Sequence, residues 1–281
     1  MQDQALNQFG IVSNCWKQQL DRGQSLVQLI EQAQARGFRA VELRRGSLGE
    51  FEADVAAASV SQGVCLRLAE FAKQFRSIDF DLAIDFPFFG VQPPVESDDI
   101  RSSIEAAKWL AHDGSPHLRL VDTVTRSRDP DSTAIESATD VLVTMTQRMI
   151  QQGGRLSVEH AYQSWGTFRS VMSQARYRLG ADADRLRCCF DPCNLLLTEP
   201  ADQIPGIVET ISPAEVSMIH IKQRRNGSIQ PDIQGGDLDW PALLKSLTSH
   251  QHHGPWLFEI AACEDIWTHL EHSQQFVLAS H

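Results

Sequence analysis

The chain has 281 residues, 42% of them hydrophobic, and a formal net charge of −11. That length suits one large domain with a full core, and the acidic balance excludes a nucleic-acid partner, whose binding rests on clustered Lys and Arg. No stretch is apolar for long enough to span a bilayer, and Met1-Gln2-Asp3-Gln4 lacks the basic and apolar regions of a signal peptide. A cytoplasmic protein is expected. Cys15, Cys65, Cys188, Cys189, Cys193 and Cys263 show no zinc-type pairing beyond the loosely spaced Cys189 and Cys193, so buried, reduced thiols are expected.

Strand and helix signals alternate from the start. Phe9 to Val12 reads as a first strand and Ser25 to Arg36 as a helix stopped by Gly37. Ala40 to Arg44 is a second strand, followed by an Ala-rich helical stretch from Leu48 to about Gln62. Cys65 to Phe75 fits a strand or a helix, and a third strand is placed at Leu82 to Asp85. The loop Phe86 to Gly90 is too aromatic for a simple solvated turn. A helix from about Asp98 to His112 leads into the fourth strand, His117 to Val121.

The second half repeats the rhythm more plainly. Asp131 to Gln152 is a long helix ended by Gly153-Gly154, and Leu156 to Glu159 is a strand. Trp165 to Leu179 is helical, stopped by Gly180, before the strand Cys188 to Asp191. A short helix from Asp202 to Thr210 precedes the strand Val216 to His220. Trp240 to Ser249, capped by Asp239, precedes the strand Trp256 to Glu259, and a helix from about Glu264 to Phe276 closes the chain. The cluster His250, His252 and His253 reads as a solvated turn. Eight strands and eight helices in alternation suggest a (β/α)8 barrel or a doubly wound sheet. The doubly wound alternative needs closely spaced glycines after its first strand. Here Ser13-Asn14-Cys15-Trp16 follows, with no glycine before Gly23, so the α/β barrel in a single domain over residues 1–281 is the expected fold.

In such a barrel the C-terminal strand ends converge on one mouth, where catalysis occurs. Glu159, Asp191, His220 and Glu259 each close a strand there, with strand starts roughly 30–40 residues apart, the length of one strand-plus-helix unit. Three oxygen donors and one nitrogen suit a hard or borderline divalent cation better than a sulfur-built structural zinc site. Lys222 is two residues past His220 and so leaves the strand on the same face. Each residue alone has a plainer reading: Asp191 as a helix cap, Arg119 as a barrel-filling ion pair, Glu42 as a partner of Arg44 or Arg119. His160 should point away from Glu159 into the helix layer.

The motifs Val158-Glu159-His160, Phe190-Asp191-Pro192-Cys193-Asn194, His220-Ile221-Lys222, Gly235-Gly236-Asp237-Leu238-Asp239-Trp240 and Phe258-Glu259 run in order along roughly 100 residues. Together they resemble the xylose isomerase-like TIM barrels, the sugar-phosphate isomerase/epimerase and endonuclease IV-like superfamily. The first half matches in rhythm, with Ala40-Val41-Glu42-Leu43 similar to the second strand and Arg119 where many relatives carry a barrel-facing Arg. The resemblance implies that Glu159, Asp191, His220 and Glu259 hold one divalent ion, Mn²⁺, Mg²⁺, Co²⁺ or Zn²⁺. It also implies catalysis by Glu159, Glu259 and Lys222, and substrate contacts from Arg119, Asn194, Glu42 and Arg224. Each glutamate would ligate through one oxygen and act as base or acid through the other.

Departures from the pattern narrow the expectation. Ketose 3-epimerases carry a second Glu six residues after the first metal Glu, where this chain has Trp165, and a His where it has Asn194. The 3-dehydroshikimate dehydratases share the His-x-Lys pair and the strand-four Arg but have a His at the position of Ala161. Endonuclease IV needs many more placed histidines. The function expected is a metal-dependent isomerase or epimerase acting on a small polyhydroxylated carbonyl substrate through an enediolate. A dehydratase of the inosose or 3-dehydroshikimate type is the second reading, and a non-catalytic barrel binding a sugar-like ligand or a partner is the third. Neither nucleic acid nor membrane is an expected partner; a homodimer is compatible.

Overall fold

Alternating apolar positions bend the chain into a ring of strands that can bury its outer face only against helices. The strands are β1 (Phe9–Val12), β2 (Ala40–Arg44), β3 (Asp79–Asp85), β4 (His117–Val121), β5 (Arg155–Glu159), β6 (Leu186–Phe190), β7 (Val216–Ile221) and β8 (Trp256–Phe258). They form a closed parallel barrel in chain order, shut by β1 against β8 through Phe9↔Trp256, Gly10↔Leu257 and Ile11↔Phe258. The computed structural model describes residues 8–90, 94–252 and 254–280; residues 1–4 and His253, both read in the sequence, lie outside them.

Eight helices of seven residues or more surround the ring: α1 (Leu26–Ala35), α2 (Gln62–Gln74), α3 (Asp98–Leu110), α4 (Ser132–Gln151), α5 (Trp165–Leu179), α6 (Ile204–Thr210), α7 (Trp240–Ser249) and α8 (Ile266–Ala279). Ser25, Ser61, Ser97, Asp131, Ser164 and Asp239 cap six of them by accepting a backbone N–H. Outward strand residues such as Ile11, Val41, Leu82, Leu120, Val158 and Ile219 join the helices in one large core. Among the described residues, no helix is long and apolar enough to cross a membrane.

Several expected boundaries move. Residues 65–75 are helical, within α2, and the expected helix from Leu48 to Gln62 is a short turn and helix (Gly49–Phe51, Glu52–Ala57) that stops where Ser61 begins α2. The third strand begins at Asp79 rather than Leu82, because Asp79-Phe80-Asp81 hides a strand start behind acidic side chains. The last helix runs from Ile266 to Ala279, and His252 is buried rather than solvated. Asp191 lies just past β6 and Glu259 just past β8. All six cysteines are free and five are buried.

The barrel interior is unusual for this architecture, which normally stacks branched apolar side chains in layers. Here Val12, Ala40, Cys189, Met218 and Leu257 form only a small separate apolar cluster. Glu42, Asp81, His117, Arg119, Ser157, Glu159 and His220 are buried in the same interior. A β-bulge sets the phase: Val216 pairs with Cys188 and Met218 with Cys189, leaving Ser217 as the extra residue. That insertion puts Met218, and with it His220, in step with the inward-facing Cys189. Ser217 Oγ bonds Cys188 O at 3.0 Å and receives Ser157 Oγ at 2.6 Å, so the bulge is tied down from inside.

Gly10 is where β1 comes closest to its neighbours. A Cβ there would lie 2.3 Å from Leu257 Cδ2 and 2.6 Å from Ala40 O. The carbonyl belongs to a paired strand and cannot give way. Gly10→Ala is therefore expected to lower stability by about 1–3 kcal/mol, the usual cost of overpacking, as read from urea unfolding.

Candidate metal centre

Strand ends bring the four donors together as expected: a ligand atom from each of Glu159, Asp191, His220 and Glu259 lies within 4.8 Å of the others. All four residues are buried. His220 Nδ1 faces the three carboxylates, 3.6 Å from Glu159 Oε1, 3.8 Å from Asp191 Oδ2 and 3.4 Å from Glu259 Oε2. Its Nε2 turns the other way, 3.3 Å from Glu42 Oε2. A carboxylate behind a metal-facing histidine fixes the ring and its tautomer.

Each carboxylate turns one oxygen to the cluster, and the protein holds the other. Asp191 Oδ1 caps the short helix Pro192–Leu195 by accepting Cys193 N at 2.9 Å and Asn194 N at 3.1 Å, while Oδ2 faces inward. The helix-cap reading and the ligand reading thus hold for different atoms of the same side chain. Glu259 Oε1 accepts Asn14 Nδ2 and Arg44 Nη1, both at 2.9 Å. Glu159 Oε2 accepts Arg119 Nη1, and its Oε1 accepts Asn194 Nδ2 at 2.7 Å.

Arg119 and Glu42 lie deeper, each with 0% exposed surface. Arg119 bonds Glu42 through Nε at 3.0 Å and through Nη2, and Glu159 through Nη1. Burial alone would raise the Glu42 carboxyl, but Arg119 and then His220 outweigh it and hold it below the ordinary carboxylate range. Arg119, Glu42 and Asn194, expected to contact substrate, lie against the candidate ligands. Their polar atoms are engaged in holding Glu159 and His220. Arg224 stands apart, beside Cys193, with Nη1 on Gly227 O at 2.8 Å at the start of a small hairpin. His160 packs outward against Trp165 and Phe168.

Lys222 does share the mouth with His220. Its Nζ lies 2.6 Å from both Asp191 Oδ2 and Glu259 Oε2, and 3.9 Å from Glu159 Oε1. Burial would lower the ammonium, but Asp191, Glu259 and Glu159 outweigh it and hold Lys222 well above the ordinary lysine range. The same lysine, then His220 and Arg44, keep Glu259 well below the usual carboxylate range against the effect of burial. Asn14 and Arg44 are additions that sequence reasoning missed. Both sit where the first two strands end, so the strand-end rule applied to β1 and β2 would have found them.

The residues fit a divalent ion on their own chemistry. His220 Nδ1 makes no hydrogen bond among the described residues although three carboxylates face it. Buried polar atoms are rarely left so without a ligand. Three carboxylate oxygens and one imidazole form a donor set for Mn²⁺, Mg²⁺, Co²⁺ or Zn²⁺.

A parallel βα barrel with such donors at one mouth defines a class of metal-centred barrel proteins. The family model described as xylose isomerase-like TIM barrel matches residues 30–275, and the chain belongs to that family. No curated protein sequence matches it. Among solved structures, the IOLI protein with a bound zinc atom superposes with a TM-score of 0.69 at 13% identity, over 97% of this chain and 96% of that one. A D-tagatose 3-epimerase-like protein gives 0.66 at 15%, over 97% and 98%. The probable 3-DHS dehydratase AsbF from Bacillus anthracis, involved in petrobactin synthesis, gives 0.67 at 10%, over 96% and 98%. At these identities the likeness is one of fold.

Arg119 neutralises two buried carboxylates at once. Arg119→Met is expected to cost about 3–5 kcal/mol of stability, because Glu42 and Glu159 are left facing each other without a cation. Urea unfolding measures this, and calorimetry should show Mn²⁺ affinity reduced by about 10–100-fold through the misplaced Glu159.

Proposed function

We propose that the protein is a divalent-metal-dependent isomerase or epimerase of a small sugar-like hydroxy-carbonyl compound, with Glu159, Asp191, His220 and Glu259 as ligands. The observation that carries this reading is the convergence of three carboxylates and one imidazole nitrogen within 4.8 Å at the barrel mouth. A divalent ion held there supplies Lewis-acid polarisation of a carbonyl. The chain itself supplies the proton chemistry and the orientation.

Glu159 and Glu259 are the acid–base candidates. Arg119 engages Oε2 of Glu159, and Asn14 with Arg44 engages Oε1 of Glu259, while Glu159 Oε1 accepts Asn194 Nδ2 at 2.7 Å and Glu259 Oε2 accepts Lys222 Nζ at 2.6 Å, so each glutamate exchanges one of these contacts when it takes a proton. A proton taken by one glutamate from the carbon beside the carbonyl and returned at the neighbouring carbon, with the hydroxyl proton passing to the former carbonyl oxygen, amounts to isomerisation; a proton returned to the same carbon from the opposite face by the other glutamate amounts to epimerisation. Lys222, held charged between Asp191 and Glu259, is placed to receive negative charge developing on the former carbonyl oxygen. Arg224, on the hairpin after β7, is the remaining candidate for substrate contact.

The second reading, a dehydratase, is favoured by Lys222 itself. A buried ammonium beside the proton-transfer groups can protonate a departing hydroxyl as well as stabilise an oxyanion. Incubating the Mn²⁺-loaded protein with keto-sugars, inososes and dehydroshikimate separates the readings by mass spectrometry: unchanged product mass supports isomerisation, and loss of one water supports dehydration. A protein that takes up no Mn²⁺ at millimolar concentration would sink both readings and favour a non-catalytic barrel.

Two substitutions distinguish the roles. Asp191→Ala is expected to abolish detectable Mn²⁺ binding in a calorimetric titration. Lys222→Met is expected to bind Mn²⁺ at least as tightly, since an ammonium no longer competes for the same oxygens. It should nonetheless raise the activation barrier by about 2.7–4 kcal/mol, as measured by kcat/KM on the substrate found. Unchanged turnover would make Lys222 a bystander.

A further inference from the structure

The N-terminal end of the barrel holds a cavity of 250 Å³ that the site at the other mouth does not use, lined in part by Asp79, Asp81, His112, His117, Arg155 and Met218. Water needs only roughly 10–15 Å³ of such space. Asp81 is the deepest carboxyl in this wall, 6% exposed, and its Oδ2 has no hydrogen-bond partner.

Asp81 stands directly beside Glu42. The two are register partners on β3 and β2, both buried within the ring. Adjacent strands lie about 4.8 Å apart, so two carboxyl groups share one buried space at the inner end of the cavity, where ionising both is strongly disfavoured. The bonding pattern decides which one carries charge. Glu42 accepts from two nitrogens of Arg119 and has His220 Nε2 3.3 Å away, whereas among the described residues no ion pair reaches Asp81.

We propose that Asp81 is the proton-bearing member of a carboxyl–carboxylate pair, a positioning residue that supports Glu42 from below and exchanges its proton through the N-terminal cavity. The inference rests on the reading of Glu42 as the support of the metal-facing His220. The proton leaves Asp81 for water in the cavity and returns the same way, with no other bond changed. The charged and titratable groups facing Asp81 or lining its cavity are Glu42 on β2, Arg119 and His117 on β4, Arg155 on β5, His220 on β7, Asp79 on its own strand, and His112 and Asp113 after α3. Burial and then Glu42 push the Asp81 carboxyl well above the ordinary carboxylate range, against Arg119 and His220. His117 is held well below the usual histidine range by burial and then Arg155, so it adds no positive charge that would ionise Asp81.

The sign of the pH effect follows from linkage. In the unfolded chain Asp81 ionises in the ordinary carboxylate range; in the folded chain it keeps its proton to higher pH. Its stabilising contribution is full below the unfolded value and is lost as pH rises through the folded one. Asp81→Asn keeps a neutral hydrogen-bond donor of the same shape and removes the titration. Urea unfolding of the full chain, wild type against Asp81→Asn, is therefore compared from just above the ordinary carboxylate range to mildly alkaline pH. The wild type should lose stability relative to the variant by about tenfold in the folding equilibrium per pH unit. Parallel pH curves would overturn the proposal.

The positioning role has its own readout. Asp81→Asn should keep the wild-type Mn²⁺ affinity, and Asp81→Leu should lower it by about 10–100-fold, the range for groups that orient ligands. Equal affinities in the two variants would overturn that role. Failure of the wild type to bind Mn²⁺ would instead sink the metal reading, and the unfolding curves would still decide where the proton resides.

Discussion

A guanidinium sealed at the centre of a barrel must be neutralised where it stands, and that requirement arranges the site. Arg119 has no exposed surface and bonds both Glu42 and Glu159. Isolated, a buried cation costs several kcal/mol, and each buried carboxylate costs as much. Held together, they form a network whose members have almost no freedom to move. Glu159 is thereby presented to the mouth through Oε1, and Glu42 is left with Oε2 facing His220. The ligand set is oriented from beneath by charge.

Above this layer the balance of charge is different. Glu159, Asp191 and Glu259 bring three carboxylates to one point, and Lys222 is the ammonium among them. An ammonium and a dication compete for the same oxygens, and Lys222 Nζ occupies those that a divalent ion would take. Arg44 and Asn14 complete the pattern by occupying the outer oxygen of Glu259. The common feature is that every carboxylate of the cluster is held by the protein, which fixes its rotamer before any ion arrives.

The polar interior also explains where the sequence was hard to read. Strand patterns are recognised by alternating apolar residues, and they work well where the inward face is apolar or the outward face is continuous, as in β4, β5 and β7. In β3 the inward residues Asp79 and Asp81 face a polar file, so the apolar strand pattern starts only at Leu82. The stretch from Cys65 to Phe75 fits a strand or a helix because its apolar residues suit either period; its place between β2 and β3 makes it a helix. Residues that break a local rule here mark the chemical side of the barrel.

Sequence alone determined the eight-fold alternation, the absence of a dinucleotide fingerprint and the four strand-end donors, because these depend on period and spacing along the chain. It also placed Lys222 in phase with His220, since side chains two apart on a strand share a face. Only the tertiary structure decided what Arg119, Glu42 and Asn194 do, because which of several carboxylates a cation meets depends on barrel closure and on register across strands. The bulge at Ser217, the pairing of Asp81 with Glu42 and the engagement of Glu259 by Asn14 and Arg44 are of the same kind. Each joins residues far apart in the chain, and contacts of that sort exist only once the ring has closed.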